Sequence, residues 1–147
     1  MHVRRATSAE EINTCLQLRR VVFIDEQKVP EAEELDDLDP VCRHFLALPG
    51  KSSPLREAMG TARILFLDDG TAKAQRVAVL RDYRKHGVGS ALMFALEGEA
   101  ARAGRQMLIL SSQLTAVPFY ERLGYEPYGD VFVDAGIDHR MMRKAVL

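Results

Sequence analysis

Between Val77 and Ser90 the chain reads Val-Ala-Val-Leu-Arg-Asp-Tyr-Arg-Lys-His-Gly-Val-Gly-Ser, an apolar strand, a basic turn with two glycines, and the opening of a helix. A helix N-terminus leaves several N–H groups without partners and carries about half a positive charge. Acidic side chains normally occupy such a first turn. Here Arg81, Arg84, Lys85 and His86 crowd it instead. That inversion makes sense where an anionic ligand sits, with Gly87 and Gly89 letting the backbone approach it closely. The competing reading is a basic surface turn whose glycines serve helix packing, and the inverted charge favours the anion. Three familiar anion and nucleophile motifs fail. A dinucleotide fingerprint needs glycine where Leu92 stands, the Gly-Lys-Ser/Thr of a P-loop is missing, and Val88 occupies the first glycine position of a nucleophile elbow at Ser90.

The rest of the chain supplies alternating elements around this turn. Val3–Arg5 and His44–Leu48 read as strands, and Ser8 to Glu11 has the form of a capping box ahead of Ile12, Leu16, Arg19 and Phe23 at helical spacing. Gly60–Leu67 and Lys73–Val79 form a hairpin around Asp68-Asp69-Gly70. Gly87–Ala103 is an amphipathic helix closed by Gly104. Met107–Leu110 is expected to be a strand buried on both faces. A short helix over Val117–Leu123 and strands near Asp130–Val133 and His139–Arg143 complete the pattern. The expectation is one α+β (α/β three-layer) domain over residues 1–147, with helices on both faces of a mixed sheet.

Composition narrows the function classes. Apolar residues make up 47% and charged residues 28% of 147, the balance of a soluble domain with a proper core. No apolar run approaches the roughly 20 residues of a membrane span, and MHVRRATSAEE has no signal-peptide core. Cys15 and Cys42 make no disulfide framework or zinc set, so a cytoplasmic setting without metal is expected. A net charge of −1 argues against nucleic acid as partner. The charge is uneven, however: from Asp25 to Asp39 eight carboxylates face only Lys28. This is either a solvated acidic loop or an electronegative mouth for a cationic acceptor.

Arg84-x-x-Gly87-x-Gly89 resembles the pyrophosphate loop of the GNAT family of N-acetyltransferases, and Gln113-x-x-Ala116-x-x-Phe119-Tyr120-x-x-x-Gly124-Tyr125 resembles its second signature. Both stand in the family's order, and the surrounding elements match its layout over nearly the whole chain. Val22-Phe23-Ile24-Asp25-Glu26-Gln27, Gly60-Thr61-Ala62-Arg63 and Asp134-Ala135-Gly136-Ile137-Asp138-His139 read like its YjcF/ElaA-like bacterial branch. Gln113 stands where many members carry Asn, Tyr125 replaces a Phe, and Asp138 precedes His139 where the branch often has Pro.

The resemblance implies a mainly antiparallel sheet, split where Val77-Ala78-Val79 and the strand from Met107 splay to admit acetyl-CoA. The cofactor-binding residues it implies are Val77, Ala78, Val79, Arg84, Lys85, His86, Gly87, Val88, Gly89, Ser90, Gln113 and Phe119. It makes Tyr120 the general acid for the departing thiolate and favours Glu26 as general base, with Glu34 and His139 toward the acceptor. Asp36 of the same acidic segment, a water chain to bulk, and His139 and His44 are further candidates for the base. Arg19, Arg63 and Arg76, which have apolar neighbours, read either as ion partners of these acids or as solvated surface charges. The implied activity is transfer of an acetyl group to an amine by direct attack in a ternary complex. The acidic segment points to a small primary amine, with a peptide or protein amine as the other acceptor class. The alternatives are an acyl-CoA-binding sensor of the same fold and a nucleotide or phosphate binder using the Gly87 loop alone. Members of the family form both monomers and dimers, so a homodimer is one open state.

Overall fold

In the computed structural model, which describes all 147 residues, the chain builds one seven-stranded sheet. Strand β1 (His2–Ala6) leads to helix α1 (Ala9–Arg19), whose Ser8 cap and Glu11 side chain exchange both capping-box hydrogen bonds. A π-helical segment, Arg20–Glu26, continues α1. The four-residue α2 (Glu31–Glu34), β2 (Arg43–Leu48), β3 (Gly60–Phe66) and β4 (Ala72–Val79) follow. Then come α3 (Val88–Arg102), β5 (Met107–Gln113), α4 (Val117–Arg122), β6 (Glu126–Asp134) and β7 (Ile137–Ala145). The strand order is β1-β2-β3-β4-β5-β7-β6, antiparallel throughout except between β4 and β5.

Alternation along β2 shows how the two faces are filled. Leu46 and Leu48 pack with Cys15, Leu18 and Ala58 beneath α1, while Phe45 and Ala47 join Ile64, Leu92, Leu96 and Met142 beneath α3. The expected helices on both faces are present. Strand β5 departs from its expectation. Leu108, Leu110 and Ser112 are buried, but Met107, Ile109, Ser111 and Gln113 are only half-buried. The reason is coverage: α1 packs on β1 to β4, and the Ser111 and Gln113 end of β5 borders a cleft instead of a helix. The C-terminal strands are longer than expected. They form a hairpin turned at Ala135 and Gly136, both at positive φ, as a twist-matched two-residue turn requires.

Candidate active site

The sheet comes apart between its two parallel strands. Ala72 pairs with Leu108, Lys73 with Ile109 and Ala74 with Leu110, and there the ladder stops although both strands run on. Beyond Ala74 each strand keeps its other neighbour. Strand β5 stays paired with β7 as far as Gln113 opposite His139, and β4 stays with β3. A bulge in β4 helps to turn it away: Arg76 sits at φ 55°, where the register against β3 slips. The result is a fork whose inner edges carry strand backbone from Gln75 and from Ser111 onward, and such groups need partners. The Ser111 Oγ is buried without a hydrogen bond. A cleft of about 310 Å³ occupies this fork, bordered by Phe23, Gln27, Val77, Ser111, Tyr120 and His139 among others.

The basic turn lies at the end of β4. Lys85 and Gly87 have positive φ, and α3 begins with no side-chain cap. The N–H groups from Lys85 to Ser90 make no hydrogen bond within the chain. The two glycines do different work. A Cβ on Gly87 would meet open space, so its φ of 84° is what requires glycine. A Cβ on Gly89 would lie 3.1 Å from Phe119 Cζ. Gly89 therefore seats the start of α3 against Phe119, and the two sequence signatures meet at this contact. Val88 and Ala78 are buried in packing, whereas Lys85 and His86 are exposed.

Tyr120 projects from α4 into the same cleft. It is 9% exposed and stands edge-on to Phe119 and to Tyr125. Burial alone pushes its phenol up to about 12, with no hydrogen bond to the hydroxyl contributing. An ordinary phenol is already protonated at neutral pH and this rise makes it a weaker acid, so its candidacy as a proton donor rests on its place in the cleft.

The acidic segment differs from its expectation. Glu26 does not border the cleft; Arg84 grips it with two hydrogen bonds of 2.7 Å, and Arg81 lies 3.4 Å away. Arg84 hydrogen bonds, followed by its charge and Arg81, hold the Glu26 carboxyl down at about 2. A base of that strength takes few protons near neutrality, so the geometry argues against Glu26 as the general base and makes it a tie between the π-helical segment and the basic turn. Glu34 does border the cleft, but it is 3% exposed and accepts a 2.6 Å hydrogen bond from Arg19. Arg63 binds Asp36 and Asp39, Arg19 also reaches Asp39, and Arg76 reaches Asp36. Hydrogen bonds from Arg63 hold Asp36 at about 2. Much of the expected electronegative mouth is thus an internal ion network. Glu33 and Asp134 remain as exposed cleft carboxylates without ion-pair partners.

Sequence reasoning missed the π-helical segment. Its wider turn ends in a hydrogen bond from the Gln27 N–H to the Val22 carbonyl, and it brings Phe23 and Gln27 to the cleft. Gln113 donates to the Gln27 side chain at 2.9 Å, tying the end of β5 to the end of the π-helical segment. The run Ser111-Ser112-Gln113, polar at the end of an apolar strand, was the available signal for this edge. No group of three or more His, Cys, Asp or Glu side chains is placed to hold a metal ion. No helix is long and apolar enough to cross a membrane.

A sheet forked between two parallel strands, beside an uncapped and glycine-led helix, defines the class: an acetyltransferase fold. Residues 56–146 match the family model described as an acetyltransferase (GNAT) domain, and the chain belongs to that family. The uncharacterized N-acetyltransferase YjcF of Bacillus subtilis is 37% identical over 140 residues, spanning 95% of this chain and 96% of the relative. A crystal structure from Lactobacillus plantarum superposes with a TM-score of 0.90 at 25% identity, covering 99% of this chain and 98% of the other. An acyl-CoA N-acyltransferase from Pseudomonas aeruginosa gives 0.83 at 28%, covering 98% and 97%.

Proposed function

We propose that this protein transfers an acetyl group from acetyl-CoA to a small primary amine by direct attack in a ternary complex. The observation that carries this reading is the fork between β4 and β5, with a cleft set in it that Tyr120 borders. The donor fits the residues present. The free N–H groups from Lys85 to Ser90 suit its pyrophosphate, and the unpaired strand edges with the Ser111 hydroxyl suit the amides of its arm. Gln113 and Phe119 flank that path, one at the end of β5 and the other against Gly89.

In the reaction, strand N–H groups at the fork hold the thioester oxygen as negative charge develops on it. Tyr120 gives its proton to the departing thiolate. Glu33 and Asp134 favour a cationic amine at the cleft mouth. Calorimetric titration with acetyl-CoA, using 3′-phospho-ADP as control, tests the donor site. Micromolar binding that needs the pantetheine arm is expected, and no binding of either ligand sinks the reading. Thiol release over an amine panel then separates an enzyme from an acyl-CoA-binding sensor.

A further inference from the structure

The two glutamates favoured by the family resemblance are each tied to an arginine, and the cleft carboxylates left without ion-pair partners, Glu33 and Asp134, are exposed side chains. We propose that His139 is the general base of the acetyl transfer, acting through Nε2; this rests on the reading above. His139 stands on β7 opposite Gln113, is 9% exposed, and borders the cleft with Tyr120. Its ring stacks on Phe132 at 5.8 Å, which fixes its plane. Its Nδ1 lies 2.7 Å from the Ile137 carbonyl oxygen. A carbonyl only accepts, so the proton of the neutral ring belongs on Nδ1 and the lone pair on Nε2. Nε2 makes no hydrogen bond in the chain, yet it is not among the buried atoms lacking partners. Nε2 is therefore accessible to solvent, on a residue that borders the cleft. His44 is no rival: it is buried, engages the Asp39 carbonyl and lies outside the cleft lining.

Nε2 takes a proton from the ammonium and becomes imidazolium. The freed nitrogen lone pair forms the C–N bond, and the C–S bond breaks as Tyr120 protonates the thiolate. The tyrosinate recovers a proton from the acetylated nitrogen, and the imidazolium loses its own to solvent. The charged or titratable neighbours bordering this cleft are Glu33 and Glu34 of α2, Lys73 and Arg76 of β4, Tyr120 of α4, and Asp134 beside the hairpin turn.

Two measurements test this. Long-range proton–nitrogen NMR of the wild-type protein, with His139→Asn assigning the signals, reads the tautomer without any acceptor. Nδ1–H with a bare Nε2 is expected, and an Nε2–H tautomer overturns the proposal. In the second, His139→Asn and His139→Gln are assayed with an alkylamine substrate and its weakly basic fluorinated analogue, which is already neutral at pH 7. Loss of about 100-fold in kcat for the alkylamine, with acetyl-CoA affinity and the rate on the analogue retained, is expected. Equal losses on both amines would mean a structural role and overturn it. Wild-type protein inactive on every amine would count against the proposed function instead, and the tautomer would still be decided.

Discussion

Replacing Arg63 with methionine tests how far the buried ion network holds the acceptor side of the fold together. Arg63 is 0% exposed and donates to Asp36 at 3.0 and 2.8 Å, to Asp39 at 2.6 Å and to Gln75 at 3.1 Å. Removing one partner of a buried pair costs about 3–5 kcal/mol when the other charge is orphaned. Here Asp39 keeps Arg19 and Asp36 keeps Arg76, so the lower end, about 3 kcal/mol, applies. The control is Arg143→Met, which removes an exposed pair with Glu126 and should cost under about 1 kcal/mol. Urea unfolding followed by circular dichroism gives both values. With a slope of about 2 kcal/mol/M, Arg63→Met should lower the midpoint by about 1.5 M. Midpoints for the two variants within about 0.3 M of each other, at equal slopes, would refute the reasoning.

Tyr120→Phe should lower kcat by about 10- to 100-fold with acetyl-CoA affinity unchanged, since a thiolate is a fair leaving group unaided; an unchanged kcat removes Tyr120 from the chemistry. Gly89→Ala should weaken acetyl-CoA binding, and Phe119→Leu in the same chain should restore part of it, because the new methyl meets the ring at 3.1 Å. Calorimetry showing no effect of Gly89→Ala would contradict that packing argument. Glu26 and Asp36 have carboxyls lowered to about 2 in the folded chain. Their stabilisation is present above the ordinary carboxylate range and is lost as pH falls toward 2, so Glu26→Gln should flatten the fall of Tm between about pH 4.5 and 2. Asp134→Asn should raise KM for a cationic acceptor at low salt while leaving acetyl-CoA affinity intact, as read from initial rates.

The fold was largely legible because its signals are local. The capping box at Ser8, the turn at Asp68-Asp69-Gly70 and the glycine stop at Gly104 each act within a few residues. The forked sheet was legible only through the family resemblance, since Val77-Ala78-Val79 taken alone reads as an ordinary buried strand. Long-range pairing explains what stayed hidden. Arg19, Arg63 and Arg76, charged residues among apolar neighbours, were readable as ion partners of the acidic segment, and the structure pairs Arg19 with Glu34 and Arg63 and Arg76 with Asp36. Nothing near Glu26 in the sequence, however, announces Arg84. A run of carboxylates looks the same whether it faces water or arginines. The π-helical turn likewise leaves no periodic trace in the seven residues it occupies.

Only three residue pairs join β4 to β5, and beyond them the end of β5 is tied through Gln113 to Gln27 after the π-helical segment, not to β4. The sheet is thus two smaller sheets sharing a short seam. A molecule lodged in the fork and bonded to both edges acts as the missing rungs, so folding and occupancy become linked equilibria. At a ligand concentration of about 100 times its Kd, that linkage is worth about 2.7 kcal/mol. Such a protein would owe part of its thermal endurance to the supply of its own ligand, and its persistence in a cell would report on that supply.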